Sequence, residues 1–486
     1  MDLLAVIVVV CLGALTWSHL KRRKLPPGPY PLPIIGNFLQ MSGPTLNKSL
    51  TQLAKRYGPV MTLHLGGALN VIVSSPELAK EVLWGEGFTG KPGAGAYIKH
   101  HDKFSISSLS VDSSEWRNLR KILHEYLFSR QSLGKSRGLR HKNAQLLLDY
   151  VQKFCDTGRA VNIREALLTT SVNFLTATMF SSDVSFDSRA TSEFKEILHG
   201  IMTSSKKYSS AEFLPILKSI DPQGKKRKLD FYFGKLLGQI KSHLDQRLEF
   251  RRANPNAPKH TDLLEALIDL TEGRDSNLTL CNILYLLFDL YFGSENLIVV
   301  MERIMTELLC HPDILSKVKD EVRSVVGARK IIEDEEISRL PYLEAVIKEV
   351  FRYQPASYYI PRMPVKDWKI NGYFIPKGTS VIVHQWAMNR DPSIWHNPDS
   401  FDPDRFLNNN IDLKGQCFEL VPFGSGKRIC PGMPLALLDI STIVAALIHN
   451  FNWKFAPGES ERNGAVIYGA LFRREAPLMA IPLKYD

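Results

Sequence analysis

One stretch near the C-terminus constrains this chain more than any other: Pro422-Phe423-Gly424-Ser425-Gly426-Lys427-Arg428-Ile429-Cys430-Pro431-Gly432. It presents a single cysteine on a glycine-rich loop that leads into an apolar helical run, Leu435-Ala436-Leu437-Leu438. Backbone N–H groups and a helix N-terminus can then point at the sulfur, a setting that favours the thiolate. A lone cysteine is ordinarily a buried packing residue, but three glycines and a neighbouring arginine argue for a ligand. The body that carries this loop is large: 486 residues, 44% hydrophobic and 23% charged, without a low-complexity tract. That composition excludes a disordered, collagenous or small secreted chain. The six cysteines show no C-x-x-C spacing, so neither a disulfide framework nor a structural zinc site is expected. Lys and Arg exceed Asp and Glu by 11, yet in short clusters. No basic, aromatic-interleaved stripe of the kind nucleic acid requires is present, and a membrane surface or an acidic protein partner accounts better for the excess.

The first residues supply the membrane. Residues 3–20 carry no formal charge, and Lys21-Arg22-Arg23-Lys24 follows at once. Eighteen residues at about 1.5 Å each span roughly 27 Å, close to the hydrocarbon thickness. A secretory signal peptide would place its basic end before the apolar run, and here the order is reversed. Residues 1–24 therefore read as a signal-anchor transmembrane helix with a basic stop, which leaves the rest of the chain on the cytosolic side of the endoplasmic reticulum. Pro26-Pro27-Gly28-Pro29, with Pro31 and Pro33, makes residues 25–36 a stiff hinge. No second boundary and no internal repeat interrupts residues 37–486, which read as one catalytic domain.

Within that domain the pattern is mainly α with small β-sheets. Val60–Leu65 and residues 70–74 are β-rich and flank Gly66-Gly67, as in a hairpin. Beyond Trp116 the apolar spacing is helical for about 240 residues, including a stretch from Pro312 that stops at Gly327. Residues 368–378 return to short strands with turns.

Read as F-x-x-G-x-R-x-C-x-G, the cysteine loop resembles the haem-ligand loop of the cytochrome P450 family, the haem-thiolate monooxygenases. Other stretches are similar to the same family. Glu349 and Arg352 stand three apart, on one helical face, and match its E-x-x-R motif. Phe401-Asp402-Pro403-Asp404-Arg405-Phe406 resembles the segment whose arginine meets that pair, and Trp116-Arg117-Asn118-Leu119-Arg120 resembles its W-x-x-x-R helix. The resemblance implies a triangular helical haem domain behind one membrane anchor, with Cys430 as axial ligand to the iron of haem b. It implies propionate contacts from Trp116, Arg120, Arg362 and Arg428, since guanidiniums suit carboxylates. Glu349, Arg352 and Arg405 would form a network that fixes the geometry of the thiolate loop. Electrons would come from NADPH through a separate NADPH-cytochrome P450 reductase. Finer resemblance is to plant microsomal members. Ala387-Met388-Asn389-Arg390-Asp391-Pro392 and Phe418-Glu419-Leu420-Val421-Pro422 look like the plant families that oxidise alkaloids and monoterpenoids, while Arg120-Lys121-Ile122-Leu123-His124, Leu198-His199-Gly200-Ile201-Met202 and the stretch from Phe213 to Lys228 look closest to the alkaloid-oxidising branch that contains berbamunine synthase, N-methylcoclaurine hydroxylase and littorine mutase.

One segment departs from the family. Residues 286–300 are almost wholly apolar and read as a buried helix, the one that crosses the oxygen-binding face of haem in the family. Its usual motif is a small residue, Gly, any residue, an acid and Thr; here it is Phe292-Gly293-Ser294-Glu295-Asn296. Glu295 matches. Asn296 replaces the threonine that helps pass protons, and a carboxamide does not share its proton as a hydroxyl does. Either Asn296 and water replace that hydroxyl, or oxygen insertion is suppressed and Phe292 favours coupling, ring closure or rearrangement. Tyr97, Phe292, Tyr358, Tyr359 and Tyr468 fall in the family's substrate-contacting segments, and their aromatic character suits a flat, amine-bearing or hydrophobic molecule. The expected function is NADPH- and O2-dependent oxidation, by hydroxylation or oxidative coupling, of a small alkaloid-like or terpenoid substrate. A non-oxygenating isomerase or cyclase is the alternative, and a degenerate membrane scaffold is a second.

Overall fold

The computed structural model describes residues 24–33, 35–41, 46–90, 101–182, 189–204, 221–273, 278–459, 466–467 and 473–484. Of the anchor expected over residues 1–24, all but Lys24 lies outside the described residues. The architecture is mainly helical with small sheets, as the patterning indicates.

Helix α1 is Leu46–Tyr57 and α2 is Ser114–Leu123. The α2 N-terminus is set by Ser113, whose side chain accepts from the Trp116 N–H at 3.1 Å, an N-cap of the usual kind. Helix α3, Arg130–Thr157, stops at Gly158, which takes the left-handed φ of 63° that ends helices without a Cβ penalty. Asn162 caps α4, Ile163–Phe180. Helices Arg189–Ser204 and Lys225–Ala253 pack on one another, and Leu263–Glu272 follows. The 31 residues of α5, Leu280–Cys310, open with a Thr279/Asn282 capping box. Pro312–Val326 begins at a proline and ends at Gly327, as the spacing predicts. Helix α6 is Pro341–Tyr353 and α7 is Met433–Asn450. Helices α3, α4, α5 and α7 pack into one bundle, and the main apolar core lies among them. Both α5 and α7 are long and apolar enough to cross a membrane, but most of each is buried in this core.

Strands β1 (Val60–Leu65), β2 (Ala68–Val73), β3 (Tyr359–Arg362) and β4 (Ser380–His384) form a sheet ordered β1-β2-β4-β3. The β1–β2 hairpin turns at Gly66, as expected, and β2 pairs parallel with β4. Helix α1 covers one face of the sheet, packing Leu50 on Met61, Leu63 and Ile72. The proline-rich segment is laid along this sheet: Thr62 N–H donates to Pro27 O at 2.8 Å, and Gly28 leaves no room for a Cβ against the Thr62 carbonyl. A second hairpin, Trp368–Ile370 with Tyr373–Ile375, turns at Asn371 and Gly372, both with positive φ.

Candidate active site

The cysteine loop is held from behind. Gly426 has φ +68°, and a Cβ there would stand 2.2 Å from Leu83 O, so the loop lies directly on the end of helix Pro76–Trp84. Trp84 Nε1 donates to Ser425 Oγ at 2.7 Å, and Ser425 Oγ donates in turn to Gly415 O. The Cys430 N–H returns to Phe423 O at 2.9 Å. Gly432 and Met433 N–H groups donate to the Cys430 sulfur, and the Arg120 charge acts in the same direction. These three lower the thiol pKa, as the loop and helix lead one to expect, while burial pushes it up and outweighs them. Deprotonation is left to a bound metal ion, as for any thiolate ligand.

Three guanidiniums converge on the same loop. Arg120 donates to Ile429 O at 2.7 Å, and Arg362 to Pro361 O at 3.0 Å and Ser425 O at 3.3 Å. Arg428 donates to Thr89 O and Leu109 O, both at 2.7 Å. Desolvation lowers all three pKa values, that of Arg362 to about 10, with the Arg428 charge adding to the effect. Asp112 offsets part of this at Arg428. Among the described residues, none of the three forms an ion pair with a carboxylate. Trp116 lies one turn from Arg120, its ring 5.5 Å from that guanidinium. Buried positive charge without a counter-ion is costly, and this cluster fits a ligand that carries carboxylates beside a metal, as haem does.

Glu349, Arg352 and Arg405 are brought together. Arg352 is fully buried and donates to both Glu349 oxygens at 2.7 Å, and to Asn389 O, Pro398 O and Ser400 O. Arg405 reaches Glu349 at 3.3 Å and His396 O at 2.7 Å. The network is tied to the cysteine loop through the edge-to-face contact of Phe351 with Phe423, 5.1 Å between centroids.

On α5, beyond its first turn, the exposed residues are Phe292 (39%) and Gly293, and a Cβ on Gly293 would meet nothing within 4 Å. A helix otherwise packed into the core thus opens here on a cleft. Glu295 is buried, and Ser294 Oγ donates to Tyr291 O at 2.8 Å. Asn296 is half-buried, its Nδ2 only 3.5 Å from Gly293 O. Tyr358 and Tyr359, expected at the pocket, both make packing contacts. Tyr358 is buried against Trp386 and the guanidiniums of Arg303 and Arg390. Tyr359 stacks on His384 and donates its hydroxyl to the buried Asn47. Tyr97 and Tyr468 lie outside the described residues. Sequence reasoning missed the role of Asp289, which accepts from Ser105 Oγ and Ile106 N–H. Its signal was an isolated acid in an apolar helix.

Fold and site together define a haem-thiolate oxidoreductase. The family model described as Cytochrome P450 matches residues 26–466, and the chain belongs to that family. It is 50% identical to a ferruginol synthase of Isodon rubescens, with 99% of each chain covered. It is 46% identical to a sugiol synthase of Salvia miltiorrhiza (97% of each) and 41% identical to a carnosic acid synthase of Rosmarinus officinalis (96% of each). These diterpenoid synthases overturn the finer resemblance to the alkaloid-oxidising branch. Of the phrases that suggested it, residues 120–124 lie at the cysteine loop, Arg120 donating to Ile429 O, and residues 198–202 lie on helix Arg189–Ser204; residues 213–220 lie outside the described residues. The family receives electrons through a separate reductase and acts here on small hydrophobic substrates.

Proposed function

We propose that this protein is a plant monooxygenase that oxidises a neutral, fused-ring diterpenoid. The observation that carries this reading is full-length similarity, at 41–50% identity, to ferruginol, sugiol and carnosic acid synthases. The cleft chemistry agrees with it: the side chain offered on α5 is the apolar ring of Phe292, while the Asp289 carboxylate is occupied by Ser105 and Ile106. That surface suits a neutral, apolar substrate better than an amine. Residues 1–24 anchor the protein in the endoplasmic reticulum membrane, residues 25–36 act as the stiff connection, and residues 37–486 work in the cytosol, where lipid contact is confined to the membrane-proximal surface.

Cys430 would hold the iron, while Arg120, Arg362 and Arg428, with the Trp116 indole N–H, would hold the propionates. Haem bound by these residues supplies electron transfer and dioxygen activation. The buried Glu349–Arg352–Arg405 network keeps the cysteine loop in place. Phe292 restricts substrate poses. Glu295 and Asn296 flank the point of proton entry; the Asn296 amide can donate a hydrogen bond, and a water must carry the proton that a hydroxyl would otherwise pass. A complete network argues against a degenerate scaffold.

The test uses microsomes containing this protein and a plant reductase, with a panel of fused-ring diterpene hydrocarbons, phenols and amines under heavy-isotope dioxygen, with and without NADPH. Labelled, NADPH-dependent product from a diterpene supports the proposal. Turnover of amines alone refutes the substrate class. Product formed without NADPH moves the assignment to isomerisation, and the absence of both product and substrate-induced spectral shift supports a scaffold.

A further inference from the structure

A strap crosses from α5 to the cysteine loop and is tied at both ends. At one end Ser105, fully buried, places Oγ 2.8 and 2.7 Å from the two Asp289 oxygens, and Ile106 N–H donates to Oδ2 at 3.0 Å. Ser107 N–H donates to Ser105 Oγ at 3.1 Å and closes the turn. Beside it Phe104 stacks on Tyr285 of α5, centroids 5.7 Å apart and planes at 26°. At the other end Leu109 O accepts from Arg428, two residues before Cys430, and Asp112 accepts from Thr89 Oγ1 at 3.2 Å. Asp289 itself is three residues before Phe292, hence close to it on the helix surface. A carboxylate half-buried in so apolar a helix is costly unless donors satisfy it, and here they come from a segment 183 and 184 residues away in sequence.

We infer that Asp289 is a positioning residue: it fixes residues 105–109 across the cleft that Phe292 faces, and so sets which part of the substrate is held for reaction. The inference deepens the proposed diterpenoid oxygenation and rests on that reading for the identity of the product. Asn at this position keeps one acceptor oxygen and weakens the tie. Ala leaves Ile106 N–H without its acceptor and Ser105 Oγ with its 2.9 Å contact to Ser107 Oγ in place of the carboxylate, and Ser105→Ala removes one of the two donors.

The full-length protein is compared with Asp289→Ala, Asp289→Asn and Ser105→Ala, each first checked for haem content and a thiolate-type carbon monoxide difference spectrum. Three quantities are read: amide hydrogen exchange over residues 101–113, discrimination among 1-, 2- and 4-phenylimidazole by spectral titration, and product ratio with the diterpene that is turned over. Expected in Asp289→Ala are exchange faster by on the order of tenfold or more, lost discrimination among the phenylimidazole isomers and a changed product ratio. Asp289→Asn and Ser105→Ala should lie between it and wild type. Unchanged exchange overturns the tie, and faster exchange with isomer discrimination and product ratio intact overturns the positioning role. Should Asp289→Ala fail to hold haem, the two milder variants decide. Should no diterpene be turned over by the wild type, the functional proposal fails, while isomer discrimination and exchange still decide the role of Asp289.

Discussion

Asp439 offers a test in which removing a charge should strengthen the protein. It lies on α7 at a cavity of about 20 Å³ between α3, α4, α5 and α7, lined also by Arg140, Asn143, Thr170, Leu297 and Thr442, with room for one water. Arg140 is already committed to Asp334, Leu133 O and Ser136 Oγ, and its Nε stands 3.9 Å from Asp439, beyond hydrogen-bond reach. Burial therefore pushes the Asp439 carboxyl up to about 7, against an ordinary 3.8; Arg140 opposes this and the Asp334 charge adds to it. The unfolded chain ionises near 3.8 while the folded one holds its proton until about 7. The associated stability is complete below the lower value, is lost as pH rises between the two, and does not return. At about 1.4 kcal/mol per pH unit the span from 3.8 to about 7 is worth ~4 kcal/mol as an upper bound. The side chain keeps 13% of its surface, and a cavity water would lower the penalty, so we expect about 2–4 kcal/mol. Asp439→Asn should raise the urea midpoint of the detergent-solubilised protein at pH 8 and gain much less at pH 5, with circular dichroism as the readout. An Asn variant weaker than wild type at both pH values would mean that Asp439 is ionised and paired with Arg140, and the burial argument would fall.

Arg352→Leu should destabilise by about 3–5 kcal/mol because it strands the buried Glu349 carboxylate; Glu349→Leu combined with it should recover part of that loss in the same urea titration. Gly426→Ala must place its Cβ 2.2 Å from Leu83 O at φ +68°, so haem content measured after expression should collapse while the more open Gly293→Ala retains it. His384 is fully buried, no partner reaches either ring nitrogen, and burial lowers its pKa from 6.5 to about 3. Its neutral form is an asset above pH 6.5, and stability falls by about 1.4 kcal/mol per unit below it as the unfolded chain takes the proton. His384→Phe, which keeps an aromatic ring against Tyr359, should flatten this acid limb between pH 6.5 and 5.

The cysteine side of the site was legible because its demands are local. A positive φ at Gly426, a sulfur facing two N–H groups, and a carboxylate facing an arginine three residues on each leave a fixed residue type at a fixed spacing. The Pro312–Val326 helix, with proline at its start and glycine at its stop, was legible for the same reason. Burial of the thiol was not, since desolvation is a property of everything packed around it. Nor were Tyr358 and Tyr359: a tyrosine carries no mark of whether its hydroxyl will meet Asn47 or a ligand, and the choice is made by α1 and β4, remote in sequence. Branch membership was misread because short phrases such as residues 198–202, about a turn and a half of helix, carry little of the cleft shape that distinguishes substrates.

The substrate side becomes readable only when its charges are traced to their partners. Aromatic residues alone are compatible with a cationic ligand, since ring faces attract ammonium groups. In this cleft that attraction is opposed: the Asp289 carboxylate is spent on the strap, Glu295 is buried, and Arg120, Arg362 and Arg428 crowd the cysteine side with positive charge. An ammonium entering there would surrender its hydration beside those guanidiniums, whereas a neutral fused-ring hydrocarbon surrenders only unfavourable contact with water. The exposed Phe292 ring and the committed Asp289 carboxylate thus support the proposal of a neutral substrate beside the names its relatives carry.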